Sequence, residues 1–457
     1  MSVFKAKRKS TTAIDMLKRG YAFAESLISN DASMMRERRL KILSELESSD
    51  IKAHGKVFPV SAIPLFFSHS DVEFFSMVVT KVCVLLEKIT KFYVEDEEYR
   101  KIFKLDKRLE KLILIPSSPI FSSPVGRIDV FLNRSGLKIC EVNTDGTGGM
   151  SRSDCINSMI LECAAVRNAY PSAESKSTVL KVAYELANHY YNHSPKPKSK
   201  PMFAVVDFKE EGVFSDFDRF VTCFKKFGAY SDFVDMRELD FDGKRLVSRK
   251  NGRSIDMIYR RAVSSVVAER MDECEPLLEA IEKNKVMVLG DFKSTLMHSK
   301  SISAAVFHPE TLKRISAEDR KIIELFFPRT YFFDKECVDG DLLADVRANR
   351  AKWVLKPQEG FGSHGVICGK DVSESIWNDS VDRLFDSGYM LQEFCDSLKF
   401  PTLRLDGGSI SGMPLMIGIY FVMGRFAGLY NRAGANGIID FEHDGLFYPS
   451  IYTGSVG

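Results

Sequence analysis

The chain lacks most of the features that would place it quickly. No apolar run approaches the roughly 18–20 residues that a bilayer-spanning helix needs, so no segment reads as a membrane span. Its nine cysteines contain no CxxC pair, and an odd, scattered set indicates neither a disulfide framework nor a zinc knuckle. Charge of one sign is also missing: 64 basic against 62 acidic residues leave a formal +2. That is too small an excess for a protein that grips nucleic acid by displacing counterions. GxSxG and HExxH are absent, and no Cys–His pair suggests a covalent nucleophile. The basic start MSVFKAKRKS is followed by no apolar h-region, and Asp15 and Glu25 argue against a transit peptide. These absences lead to the expectation of a soluble, cytoplasmic protein with neither membrane nor nucleic-acid partners.

What is present fits a globular protein of several packed units: 457 residues, 45% apolar and 28% charged. Periodicity predicts helix over 11–48. A second helix is predicted from Asp71, as its N-cap, to about Tyr93, with Phe74, Phe75, Met77 and Val78 making it too apolar for a surface. From 111 the pattern turns β-like in KLILIPSSPIFSSP, GRIDVFLN and LKICEVN. The loop TDGTGGM leads into helix over 153–169, and another helix is predicted near 174–193. SPKPKSKP (194–201) reads as a linker. Beyond it, MFAVVDF, a helix near 215–227, DMIYRR, a helix at 271–284 and VMVLG alternate as an α/β unit with a parallel sheet. The strands AKWVLKP, HGVICG, YMLQEF, PLMIGIYFVMG and FAGLYNRAG follow. This divides the chain into 1–110 (mainly helical), 111–195 (hairpin and helices), 202–285 (α/β) and 286–457.

GRIDVFLNRSGLKICEVN carries the most chemistry. A three-residue loop, Arg134-Ser135-Gly136, with glycine in its left-handed third position, sets Arg127 opposite Asn143 and Asp129 opposite Glu141. Residues two apart share a face, so all four side chains project together. Two carboxylates facing each other across a strand pair repel. The pair therefore needs a proton, a nearby cation or a bound metal, unless the face is simply solvated. Two carboxylates and an amide are hard oxygen donors of the kind Mg²⁺ takes.

VLKPQEGFGSHGVICG holds GxGxxG at Gly360, Gly362 and Gly365. The β-like VICG that follows makes this the tip of a hairpin, not the start of a dinucleotide-binding helix. With Lys356 on the preceding strand it reads as a flap over ATP phosphates or, equally, as an ordinary glycine-rich surface hairpin. In YMLQEF, the strand ending Gln392, Glu393 and Phe394 suits an adenine ring, though by itself it reads first as a buried strand ending in polar residues. Other groups are ambiguous or structural. His189 and His193 are spaced i, i+4 at a helix end, without the glutamate or third ligand of a zinc site. His364 lies within the glycine loop. Asp256, Arg260 and Arg261 bind a substrate anion or form ion pairs. The cysteines, like the aromatics of YFFDKE and IELFFP, read as buried hydrophobes.

Hairpin, lysine, glycine loop and QEF together resemble the ATP-grasp superfamily, in particular its circularly permuted branch, which includes the synthetase half of glutathionylspermidine synthase. The family pattern is Arg-x-Asp followed across a turn by Glu-x-Asn. Here it is Arg127, Asp129, Glu141 and Asn143, placed well before Lys356 in the permuted order. The resemblance implies an α/β (α+β), ATP-grasp-like, circularly permuted fold over about 110–457, with an additional helical N-terminal region. It implies ATP and Mg²⁺ as cofactors. Asp129, Glu141 and Asn143 would hold the metal, and Arg127 and Arg432 would contact the transferring phosphoryl group or the carboxylate. Lys300, Lys356, Gly360, Gly362, Gly365, Gln392, Glu393 and Phe394 would bind nucleotide, with closure of the flap keeping water from an acyl phosphate. The implied activity is joining a small-molecule or peptide carboxylate to an amine acceptor. Rivals are a phosphotransferase and a nucleotide-binding protein without activity. The chain departs from the family in having Asp145-Gly146-Thr147 where Asp-x-Pro is common, and no amidase-like domain precedes the synthetase part. Spermidine and glutathione are therefore not carried over, and neither the substrates nor the oligomeric state is encoded in any motif.

Overall fold

Strands Val125–Asn133 and Gly136–Asn143 form the expected antiparallel hairpin and seed a larger sheet. Ser411–Val422, Arg425–Ala433 and Leu446–Tyr448 extend it in that order, and Lys399–Thr402 pairs alongside Ser411–Val422. The computed structural model describes residues 7–29, 32–48, 59–117, 120–212, 214–360, 364–439 and 445–454. Strand alternation gives the sheet two unlike faces. Ile128, Val130, Ile417, Ile419 and Leu429 share an apolar core with Phe75, Val79, Val82 and Leu86 of helix His69–Glu95. The other face carries Arg127, Asp129, Glu141, Asn143 and Arg432 in register.

Helix His69–Glu95 begins slightly earlier than its periodicity predicts, because Ser68 is the N-cap. The Ser68 hydroxyl accepts from Asp71 N–H, and the Asp71 carboxylate accepts from Ser68 N–H at 2.7 Å. Asp71 is thus the third-position partner of a capping box and not the cap itself; it also pairs with Arg19. The 11–48 region forms two helices, Lys7–Ser29 and Ala32–Ser48. KLI is not a strand but the end of helix Lys107–Ile113, whose Asp106 cap accepts from Arg108 N–H. The helix expected over 153–169 is split into Met150–Leu161 and Ala164–Ala169. Leu65–Ser68 pairs in parallel with Ser450–Thr453, tying the early chain to its last described strand.

Two further sheets frame the site. Thr330–Phe332, Tyr389–Glu393, Trp353–Pro357 and Ile367–Cys368 form an antiparallel sheet in that order. Tyr230–Asp235, Met202–Asp207, Met257–Arg260 and Met287–Leu289 form the expected parallel sheet, with helices Phe214–Lys226 and Glu275–Glu282 in its crossovers. Among the described residues no helix is long and apolar enough to cross a membrane. All nine cysteines are free, but only Cys274 and Cys368 are fully buried, so the expectation that the cysteines are buried hydrophobes holds for those two alone.

Candidate functional site

The hairpin partners are those expected, Arg127 with Asn143 and Asp129 with Glu141, but the route to that register differs. Asn133 pairs with Gly136 (φ 132°), so the loop has two residues, Arg134 and Ser135, not three. That turn alone would set Asp129 opposite Cys140 and send Glu141 to the apolar face. A β-bulge at Cys140 restores the pairing, since Val130 faces Ile139 while Asp129 faces Glu141. The bulge also presents the Cys140 carbonyl, which accepts from Lys356 Nζ at 3.2 Å, with the thiol 3.5 Å away.

The face is not solvated. Asp129 is fully enclosed and accepts from Arg127 Nε (2.6 Å) and Nη2 (2.9 Å), Arg432 Nη2 (2.7 Å) and Asn143 Nδ2 (3.1 Å). Arg127 lies over the Tyr420 and Tyr430 rings. Room for this cluster comes from Gly418, which pairs with Asp129. A Cβ there would come within 2.6 Å of Tyr430 O, 2.7 Å of Arg127 Cδ and 2.9 Å of Asp129 Oδ1. Burial alone would raise the Glu141 pKa, but Lys300, Lys356 and Arg432, with the Asn143 amide, outweigh it and hold the carboxyl at about 2. Of the ways to relieve the facing carboxylates, cations are the one built into the fold.

Two cavities meet at this point. A cavity of about 320 Å³ is lined by Arg127, Asn143 and residues 145–148 on one side and by Asp207 and Arg261 on the other. A narrower cleft of about 70 Å³ is lined by Phe131, Lys356, Gln392, Glu393 and Phe394. Glu141, Lys300 and Arg432 line both. Asp129 lines neither, and its oxygens are engaged by the arginines and Asn143. Of the hairpin's oxygen donors, those of Glu141 and Asn143 line the cavity. A carboxylate and an amide beside a space for further oxygens suit Mg²⁺, which keeps waters and shares phosphate ligands. Among the described residues no cluster of three His, Cys, Asp or Glu side chains forms a metal cage.

Trp353–Pro357 and Ile367–Cys368 pair antiparallel, so the glycine segment does join two strands of a hairpin. Gly360 and Gly365 have φ of 128° and 73°, and the Gly360 carbonyl accepts from Lys300 Nζ at 2.6 Å. Gly362 lies outside the described residues. Gln392 is buried and donates to Thr330 Oγ1 at 3.0 Å. Glu393 N–H donates to Arg329 O (2.9 Å) and Phe394 N–H to Lys352 O (2.7 Å). Both donors are therefore spent within the sheet and are not available to an adenine edge.

Arg260 and Arg261 are internal clasps. Arg260 pairs with Asp145 at 2.8 Å and donates to the carbonyls of Gly290 and Ala262. Arg261 donates to Thr147 O and to Tyr259 OH (3.1 Å). They pin the 145–148 loop against the parallel sheet, while Asp216 caps helix Met150–Leu161 through Gly149 N–H and Ser151 N–H, both at 2.9 Å. Of the ambiguous readings of DMIYRR, ion pairing is the one realised, and Asp256 pairs with Lys198 at 2.6 Å. His189 and His193 stack at 4.3 Å on the wall of a separate hollow, and His364 is exposed.

Three residues at the site were not singled out from the sequence. Gly418 gave no signal within an apolar strand. His298 lines the larger cavity, with its Nδ1 buried and lacking a hydrogen-bond partner among the described residues. It stands two residues before Lys300, where only the lysine drew notice. Asp207 closes the strand MFAVVD, and a carboxylate at the C-terminal end of a parallel strand is a signal that could have found it.

No protein-family model matches the chain, and no curated protein does. Among solved structures, it is similar to a glutathione synthetase-like effector from Globodera pallida, with a TM-score of 0.60 at 12% identity. That likeness covers 92% of this chain and 97% of the other. It is also similar to a provisionally named gamma-glutamylcysteine synthetase from Methylobacillus flagellatus, at 11% identity, over 78% of this chain and 83% of that one. The TM-score there is 0.39, so the fold assignment rests on the first. The chain thus has a mixed α/β fold of the glutathione synthetase-like type.

Proposed function

We propose that the chain is an ATP- and Mg²⁺-dependent carboxylate–amine ligase of the circularly permuted ATP-grasp kind, working through an acyl phosphate. The observation that carries the reading is the junction of the two cavities at Glu141, Lys300 and Arg432. Phosphoryl transfer between two anions needs little covalent help, but it needs positioning and charge compensation. In this reading the nucleotide lies along the narrower cleft, which would have to widen to admit it, and the 320 Å³ cavity takes the carboxylate and amine.

Lys356 and Lys300 neutralise phosphates, and Arg432 and Arg127 lower the repulsion between the incoming carboxylate and the terminal phosphoryl group. Asp129, buried between the two arginines, fixes their orientation. Glu141 and Asn143 would hold Mg²⁺, which when bound offsets charge on the phosphates. The carboxylate oxygen attacks the terminal phosphorus as the bond to ADP breaks. The amine nitrogen then attacks the acyl carbon, phosphate leaves and the nitrogen gives up its proton. Stacked between tyrosines, Arg127 stays protonated throughout, because Asp129 holds its pKa well up against the effect of burial.

An ADP-release screen against amino acids, short peptides and polyamines, with products identified by mass spectrometry, tests this. The expected outcome is ADP and phosphate in step with an amide product. A stable phosphorylated product would make the protein a phosphotransferase instead.

A further inference from the structure

The larger cavity has one wall for which the transfer chemistry has no use. Its hairpin side is lined by Arg127, Lys300 and Arg432, and its parallel-sheet side by Asp207 and Glu211, with Phe217, Val263 and Val266 also in the lining. The parallel sheet runs Tyr230–Asp235, Met202–Asp207, Met257–Arg260, Met287–Leu289. Chain connections therefore leave Met202–Asp207 and Met257–Arg260 in opposite directions. The crevice beyond the carboxyl ends of two such strands is where open α/β sheets take ligands, and Asp207 is the last residue of the first of them.

Asp207 is 6% exposed, yet among the described residues no cation lies within ion-pair distance of it. Its Oδ1 accepts from Phe208 N–H at 2.8 Å, and among the described residues no donor reaches Oδ2. Arg261, on the neighbouring strand, spends its Nη groups on Thr147 O, Gly146 O and Tyr259 OH and lies 3.8 Å from the Asp216 carboxylate. A buried carboxylate without a partner is costly and is a recurrent mark of a binding site. Burial pushes the Asp207 pKa up to about 6, with Arg261 and Arg260 from the neighbouring strand pulling down and Glu211 on its own loop adding to the rise. The group is charged at neutral pH, and among the described residues no cation pairs with it directly.

We propose that Asp207, with Glu211 at the mouth, binds an alkylammonium group of the molecule that fills this cavity, whose apolar segment lies on Val263, Val266 and Phe217. The proposal rests on the ligase reading only in taking this cavity as the substrate cavity, and it names that substrate as an amine-bearing cation.

The test is calorimetric binding of 1,5-diaminopentane, with hexanoate as the anionic control, in the presence of Mg²⁺ and a non-hydrolysable ATP analogue. Asp207→Asn should weaken diamine binding by at least about tenfold, as expected for losing a charge-assisted contact, and leave analogue affinity unchanged. Glu211→Gln, at an exposed position, should weaken it by only about two- to threefold. Wild-type diamine affinity should fall as pH drops through about 6, where Asp207 takes up a proton, and Asp207→Asn should show no such step. Asp207→Asn should also melt higher than wild type at neutral pH, because an uncompensated buried charge is gone, a gain that a structural carboxylate would not give. Undiminished diamine binding in Asp207→Asn, or binding of hexanoate and not of the diamine, would overturn the proposal. If the ATP analogue does not bind, the ligase reading fails, while diamine binding and its loss in Asp207→Asn still decide the ammonium site.

Discussion

Two buried arginine–aspartate clusters lie within this site, built from the same residue types and used differently. Around Asp129, Arg127 and Arg432 spend only part of their donors on the carboxylate and keep a face on the cavities. In the second, Arg260 beside Asp145 and Arg261 beside Asp216 spend donors on backbone carbonyls of Gly290, Ala262, Thr147 and Gly146. Both clusters are deeply enclosed, so burial does not separate them. The destination of the hydrogen bonds does: the second cluster holds a loop that stays, and in the proposed function the first meets an anion that arrives.

The largest effect that sharpens this contrast falls on the second cluster. Arg260→Met leaves Asp145 charged and unpaired in the interior and should cost about 3–5 kcal/mol of stability by chemical denaturation. A loss of activity with full stability would make Arg260 a substrate residue and erase the distinction. Glu141→Gln is the mirror case: ATP turnover should fall by about 10²–10³, beside a loss on the order of 3 kcal/mol of stability at neutral pH as the pairing with Lys300, Lys356 and Arg432 goes.

Acid titration separates the clusters again. Glu141 has its carboxyl lowered from 4.5 to about 2, so its contribution is present above its unfolded value and lost as pH falls through about 2. Stability should therefore drop between these values, by on the order of 3 kcal/mol for this group, and Glu141→Gln should flatten that limb. An unchanged limb would mean that Lys300, Lys356 and Arg432 do not hold Glu141 as described. The smallest expected effect comes from Gly418→Ala, which alters no charge. Its added methyl displaces Arg127 or Asp129 and should cost about 1–3 kcal/mol, together with a loss of turnover that an equivalent overpacking near Asp145 would not produce.

Much of this was legible in the sequence, though not always for the right reason. The facing of Asp129 and Glu141 followed from a three-residue turn that does not exist, and the bulge at Cys140 supplied the missing residue. Turn length and bulge trade off against each other, and a pattern of alternating residues reads the same either way. The parallel sheet was legible because alternating strands and helices leave few other arrangements. KLILIP misled because a short apolar run does not distinguish a strand from the end of a capped helix. The pairing of Leu65–Ser68 with Ser450–Thr453 joins opposite parts of the chain and has no local signature. The role of Arg261 stayed open between anion binding and ion pairing because sequence records a charge but not which carbonyl consumes it.

The central claim is that Glu141 and Asn143, flanked by Lys300 and Arg432, serve a metal-bound triphosphate. The most direct measurement is calorimetric ATP binding with and without Mg²⁺, for wild type and Glu141→Gln. The account predicts tight binding by wild type only when the cation is present, and loss of that cation dependence in Glu141→Gln. Binding that is absent in wild type, or equal with and without Mg²⁺ in both proteins, would contradict it.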